Sequence, residues 1–318
     1  MYDYLFGDGA GMKRVRIGLV GLGKIARDQH LPALAADQDF DLVAIASRNA
    51  TLDSVANFPT IEAMLDADVA LDAVSLCTPP RGRFDQACAA IEAGLHVMME
   101  KPPAATISEA VALAELAQAK GVVLFTTWHS REAAGVEPAR AWLAGRRIDA
   151  VRIAWREDIR RWHPGQDWIL EAGGFGVFDP GINALSIATR ILPDPLRVDT
   201  ATITVPADRQ GPLKATLGMV SGTVPVSADF DFLQTGPQTW DIEVDTDAGT
   251  MILSMGGSIL RLPGEPPREA ADTEYPGLYR RFAELVAAGK SDVDFRPLQL
   301  VADAFLIAER TTGDSFEW

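Results

Sequence analysis

At 318 residues the chain is long enough for two domains, each able to bury its own core. A formal charge of −15 with no compensating basic run excludes nucleic acid and an anionic membrane surface as partners. Two isolated cysteines and four scattered histidines offer neither a disulfide framework nor a metal site, no apolar run spans a bilayer, and the acidic start lacks a signal peptide's features, so a reduced cytoplasm is expected.

Residues 1–12 read as a flexible leader. An apolar strand over 15–20 then runs into Gly21-Leu22-Gly23-Lys24-Ile25-Ala26, followed by an amphipathic helix to about residue 36. In that context G-x-G-x-x-A is a phosphate-binding turn. Gly21 takes the tight-turn angles, Gly23 lets the main chain approach a pyrophosphate, and Ala26 lets the helix pack on the strand. Lys24 and Ile25 open the helix whose free N–H groups face the phosphates. Next come a strand at 40–47, a short helix at 60–67 capped by Thr60, a strand at 71–77, a helix at 84–93 stopped by Gly94, and a strand at 96–99. The capping box Thr106-Ile107-Ser108-Glu109 opens a helix that ends at Gly121, and a strand follows at 122–127. This alternation specifies an α/β, doubly wound parallel sheet, a Rossmann domain over 13–131. At the end of its second strand Ser47-Arg48-Asn49 stands where an NAD-specific site usually offers an acid. Arg48 and Ser47 suit a 2′-phosphate, so NADP is the expected cofactor, with NAD accepted.

From about residue 132 the rhythm changes. Helices are expected at 137–144 and 180–192, with a strand at 151–155 between them. Strands follow at 201–205, 224–232, 239–244, 250–254 and 258–262, then helices at 278–288 and 297–310. This second domain, 132–318, is therefore α+β with a largely antiparallel sheet, its last helices packing back on the core. Trp162-His163-Pro164-Gly165 sits in a polar, turn-rich loop, where a large aromatic is better placed to cover a ligand than to fill a core. Asp179-Pro180 has two readings, a helix N-cap with proline in the first position or a site carboxylate. Asn183, four residues on, shares its helical face.

Further stretches carry a resemblance. Cys77-Thr78-Pro79-Pro80, Glu100-Lys101-Pro102-Pro103 and Gly173-Gly174-Phe175-Gly176-Val177-Phe178-Asp179-Pro180-Gly181-Ile182-Asn183, with the glycine turn, resemble the glucose-fructose oxidoreductase/inositol dehydrogenase (Gfo/Idh/MocA) family from residue 12 onward. Within it, Ile25-Ala26-Arg27-Asp28-Gln29-His30-Leu31-Pro32 and Arg161-Trp162-His163-Pro164-Gly165-Gln166 resemble the aldose 1-dehydrogenases of L-arabinose and D-galactose. The resemblance implies that Cys77, Thr78 and Pro79 lie under a nicotinamide, with Glu100 beside them. It implies that Lys101 sits at the sugar hydroxyl with Asp179 as partner, and that Glu157, His163, Trp162 and His129 line the sugar. Asn183 replaces a histidine that most of the family uses as proton acceptor. An amide cannot take a proton near neutral pH, so acid–base chemistry passes to Lys101 and Asp179. The implied reaction is oxidation of L-arabinose, and of D-galactose, at C1 to the aldonolactone, in a homodimer or tetramer and without a metal. Oxidation of another sugar or polyol hydroxyl, and a non-catalytic NADP-binding regulator on the same fold, are the alternatives.

Overall fold

The computed structural model describes residues 14–318; the expected leader lies outside them. The first sheet contains β1 (Val15–Val20), β2 (Phe40–Ala46), β3 (Ala56–Phe58), β4 (Ala73–Leu76), β5 (His96–Met99) and β6 (Leu124–Thr126), all parallel in the order β3-β2-β1-β4-β5-β6. β4 is buried along its whole length, as expected of a strand with helices on both faces. α1 (Leu31–Ala36), α2 (Ile61–Leu65), α3 (Arg83–Glu92) and α4 (Ile107–Lys120) supply the crossovers, and the Thr106–Glu109 capping box forms as expected. A π-helical turn, Ala26–His30, precedes α1. The strand order reverses between β1 and β4, so the crevice for a ligand opens at their carboxyl ends, where Gly21 and Cys77-Thr78 lie.

Nine strands form the second sheet: β7 (Ile148–Arg156), β8 (Leu196–Pro206), β9 (Lys214–Ser221), β10 (Val224–Asp231), β11 (Thr239–Thr246), β12 (Gly249–Ser254), β13 (Ile259–Arg261), β14 (Arg268–Glu269) and β15 (Glu309–Gly313). Their order is β14-β13-β12-β11-β7-β10-β9-β8-β15; β7–β10 and β8–β15 are parallel, the other pairs antiparallel. The helices on this half are α5 (Val136–Leu143), the short α6 (Ile159–Trp162), α7 (Phe178–Ile191), α8 (Glu274–Ala288) and α9 (Arg296–Ile307). α7 is apolar nearly all round, with 12 of its 14 residues buried, because it runs between the sheet and helices α5 and α9. α8 instead crosses to the first sheet, where Tyr275, Leu278, Tyr279, Phe282 and Leu285 join the core around Ile17, Leu19 and Phe40.

Several expectations need correction. β3 and β9 were not legible, because three residues at a sheet edge carry almost no period and β9 buries Ala215 and Ser221 beside Leu217 and Met219 while Gly218 sits on its other face. The last helix stops at Ile307 rather than 310, and 309–313 is a strand: Thr311 and Thr312 favour extended backbone, and pairing with β8 prevails. α8 begins one turn before 278, which brings Glu274 and Tyr275 into play. α7 begins at Phe178 with Val177 as N-cap and no side-chain capping bond, so the N-cap reading of Asp179 is wrong.

Arg131 and Asp294 tie the end of the first sheet to α7 and α9. The Arg131 guanidinium donates to Asp294 at 2.7 Å, to the Ser186 carbonyl at 2.9 Å and to Thr189 Oγ1 at 2.9 Å. Burial opposes the charge on Asp294, but Arg296 and Arg131 outweigh it and hold the carboxyl down at about 2. Asp294→Asn is expected to cost about 2–3 kcal/mol in urea unfolding at pH 7, because it leaves a buried guanidinium without its counter-charge. A carboxyl lowered on folding stabilises above its unfolded value and ceases to as pH falls through its folded value. The difference between wild type and variant should therefore persist above pH 4 and shrink toward pH 2.

Candidate active site

The site is assembled around the carboxyl ends of β1, β4 and β5. Gly21 has φ +91°, and a Cβ there would meet Thr78 Cγ2 at 2.9 Å and Thr78 N at 3.0 Å, so only glycine lets the turn cross the end of β4. Gly23 differs. It has nothing within 4 Å of a Cβ, and with Lys24 and Ile25 it is exposed. This open main-chain cradle at the start of the helical segment fits a pyrophosphate. Lys24 pairs with Asp28. Arg48 is exposed and has no side-chain partner among the described residues, while Ser47 donates its N–H to Phe58 O at 2.9 Å. A free guanidinium beside the second strand therefore fits a 2′-phosphate. Cys77 is buried, Thr78 half-buried with its hydroxyl on Gln86 at 2.6 Å, and Pro79 exposed.

Beneath this crevice lies Glu100, 3 % exposed. One oxygen accepts the Lys101 N–H at 2.8 Å; the other accepts Tyr275 O–H at 2.8 Å and faces His30 Nε2 at 3.1 Å. Burial opposes its charge, but His30, His129 and Tyr275 outweigh burial and hold the carboxyl well below the usual range. His30 is in turn pushed up, against its own burial, by Cys77, Tyr279 and Glu100. His30 and Glu100 thus form a buried hydrogen-bonded pair, with Tyr279 O–H 2.7 Å from His30 Nδ1. Arg83, fully buried and pushed down by that burial to about 10, bonds the carbonyls of Thr78, Glu100 and Pro102. It therefore holds the two loops at a fixed separation. The Lys101–Pro102 peptide is cis.

Lys101 reaches across to α7, which packs on the second sheet. Its Nζ donates to Asp179 Oδ1 at 3.1 Å and to the Asp179 carbonyl at 3.0 Å. The other Asp179 oxygen lies 3.9 Å from His163 Nδ1. His163 Nε2 bonds Glu157 Oε1 at 3.1 Å, and Glu157 Oε2 accepts the Trp240 indole N–H at 2.8 Å. Trp162 packs on Trp240 with ring centroids 5.0 Å apart. Asn183 is half-buried one turn beyond Asp179, its amide unbonded among the described residues. Lys101, Asp179, His163 and Glu157 therefore form one polar line, an arrangement suited to holding a hydroxyl and moving its proton.

Two of the residues expected to line the sugar are already engaged within the protein. Glu157 is 2 % exposed with both oxygens engaged, so it orients His163 rather than offering itself to solvent. His129 is stacked on Tyr275 at 5.5 Å and bonded to Glu274 at 2.6 Å, which leaves only its other nitrogen for a ligand. His30, Arg83, Trp240, Tyr275 and Tyr279 were not singled out from sequence. His30 lay inside a quoted string and Arg83 acts on neighbouring loops, but Trp240, Tyr275 and Tyr279 act through contacts made far along the chain.

Residues 15–128 match an oxidoreductase family with an NAD-binding Rossmann fold, GFO_IDH_MocA. A galactose 1-dehydrogenase of Pseudomonas fluorescens is 42% identical over 96% of this chain and 99% of its own. The crystal structure of a D-galactose-1-dehydrogenase from Rhizobium etli superposes with a TM-score of 0.91 at 51% identity, covering 96% of this chain and 99% of that one. A D-xylose 1-dehydrogenase (NADP(+)) of Haloferax volcanii is 31% identical over 74% of each chain.

The two glycines make separable predictions. Gly23→Ala meets no neighbour and should leave the melting temperature within about 2 °C of wild type while weakening dinucleotide binding at least about tenfold, read by fluorescence titration. Gly21→Ala should lower both, through the clash with Thr78 and the strained φ.

Proposed function

The chain belongs to the Gfo/Idh/MocA oxidoreductase family, and on that premise we propose that it is an NADP-preferring aldose 1-dehydrogenase that oxidises D-galactose and L-arabinose at C1 to the aldonolactone. The observation that carries this reading is the convergence of Lys101, after β5, with Asp179 of α7 and His163, after α6, at the end of a dinucleotide cradle. In this reading residues 13–131 hold the cofactor and 132–318 the sugar. The protein works in the cytoplasm as a homodimer or tetramer.

Gly21, Gly23, Lys24 and Ile25 would hold the pyrophosphate, Ser47 and Arg48 the 2′-phosphate, and Cys77, Thr78, Pro79 and Glu100 would border the nicotinamide. That group, when bound, accepts a hydride. The remaining chemistry falls to the chain. The anomeric hydroxyl is held by Lys101 Nζ and Asp179; its proton passes to this hydrogen-bonded pair as the C1–H bond breaks and the C1–O bond becomes a carbonyl. His163, fixed by Glu157 through Nε2, turns Nδ1 toward the same space, and Asn183 offers an amide donor and acceptor to a ring hydroxyl. The two sugars share configuration at C2, C3 and C4. Residues that bind these hydroxyls read the common part, and D-glucose, inverted at C4, leaves a polar group unpaired at about 1–3 kcal/mol.

Steady-state assays with D-galactose, L-arabinose, D-xylose and D-glucose, each with NADP and NAD, test the proposal. Turnover with either of the first two supports it, and none with either contradicts it. Lys101→Ala and Asp179→Ala are each expected to lower kcat by about two to four orders of magnitude with cofactor binding retained. Arg48→Ala should weaken NADP use by about 1.5–3 kcal/mol and spare NAD, measured as kcat/KM for both; equal losses would remove Arg48 from phosphate recognition.

A further inference from the structure

The stretch Phe316-Glu317-Trp318 crosses the loop that carries Trp162 and His163 and grips it on both flanks. On one flank the Arg160 guanidinium lies 4.6 Å over the Phe316 ring and donates to the Glu317 carbonyl at 2.7 Å. On the other, the Trp318 indole N–H donates to Asp167 Oδ1 at 2.6 Å. Arg160 and Asp167 bracket Trp162 and His163 in sequence, so both grips act on the segment between them. The stretch is itself anchored. Phe316 is 3 % exposed, its N–H donates to Asp208 Oδ1 at 2.8 Å, and its carbonyl accepts from Arg209 at 3.3 Å. The Trp318 ring meets Phe316 edge-on at 5.4 Å, and β15, paired to β8, fixes where the stretch emerges. On its inner side the loop is held by His163 on Glu157 and Trp162 on Trp240, and Ile159, Ile169 and Leu170 are buried at its ends, but its tip, Pro164 and Gly165, is exposed.

We propose that Phe316-Glu317-Trp318 is a staple that keeps the loop closed over the sugar pocket, with Arg160, Asp167 and Trp318 acting as positioning residues that set sugar affinity without touching the sugar. The substrate named here rests on the aldose reading above. His163 sits 3.9 Å from Asp179 only while the loop holds this position. When the loop is partly open, only the closed fraction binds, so apparent affinity falls by that fraction while the bound complex turns over as before. The cofactor site, on the other sheet, is unaffected.

The test is the Arg160→Ala/Trp318→Ala double variant, with Trp318→Phe retaining the ring but not the N–H. In the double variant KM for D-galactose should rise about 3- to 10-fold with kcat within about twofold, and the Kd for NADP should be unchanged. Trp318→Phe should fall between it and wild type. Amide hydrogen exchange across residues 160–168 should quicken at least about threefold with the rest of the chain unchanged, a readout that needs no substrate. Unchanged sugar KM, unchanged loop exchange, or an equal rise in the NADP Kd would each overturn the staple. If the wild-type protein turns over no aldose, the activity reading fails and the exchange measurement alone decides: acceleration confined to the loop upholds the staple, and its absence removes it.

Discussion

The site depends on one buried carboxylate. Glu100 directly follows β5 in a place where an unpaired charge would be costly, and its oxygens are filled by the Lys101 N–H, the Tyr275 hydroxyl and His30. The filling groups come from three separate parts of the chain: the residue beside it, the π-helical turn after the glycine cradle, and α8. Glu100 is thus a joint. It fixes the backbone of Lys101 to the cofactor turn on one side and to the returning C-terminal helix on the other. Removing one partner would leave a buried group unsatisfied, which is why the cluster acts as a unit.

From that joint the geometry of Lys101 follows. Its side chain leaves the first sheet and meets Asp179 in the first turn of α7, a helix whose own position is set by burial on nearly every side. A helix packed this way cannot rotate without disturbing the second sheet, so Asp179 and Asn183 face the cleft at a fixed height. Glu157 extends the arrangement by binding His163 and Trp240 at once, carrying order from β11 to the loop. The result is a rigid floor bordered by the loop from Arg160 to Asp167, whose tip at Pro164 and Gly165 is exposed.

Much of this was legible in the sequence because local rules governed it. The glycine turn, the capping box at Thr106 and the alternation of strands and helices are short-range signals, and the first sheet is parallel as they imply, with β3 added. Lys101 and Asp179 were singled out through a resemblance; the Asp-Pro pair alone also read as a helix cap, and the start of α7 at Phe178 with Val177 as N-cap rules that cap out. What stayed hidden was long-range. Tyr275 lies 175 residues from Glu100, so no periodicity announces their bond. β9 and β15 likewise owe their conformation to sheet partners more than to their own residues.

The central claim is that this cleft removes a hydride from C1 of an aldose while the Lys101–Asp179 pair takes the hydroxyl proton. The most direct measurement uses D-galactose deuterated only at C1, with mass spectrometry of both products. The account predicts that the deuterium leaves the sugar, appears in the reduced nucleotide and is missing from a lactone product. Deuterium retained in an oxidised sugar would place the chemistry at another carbon and contradict the account.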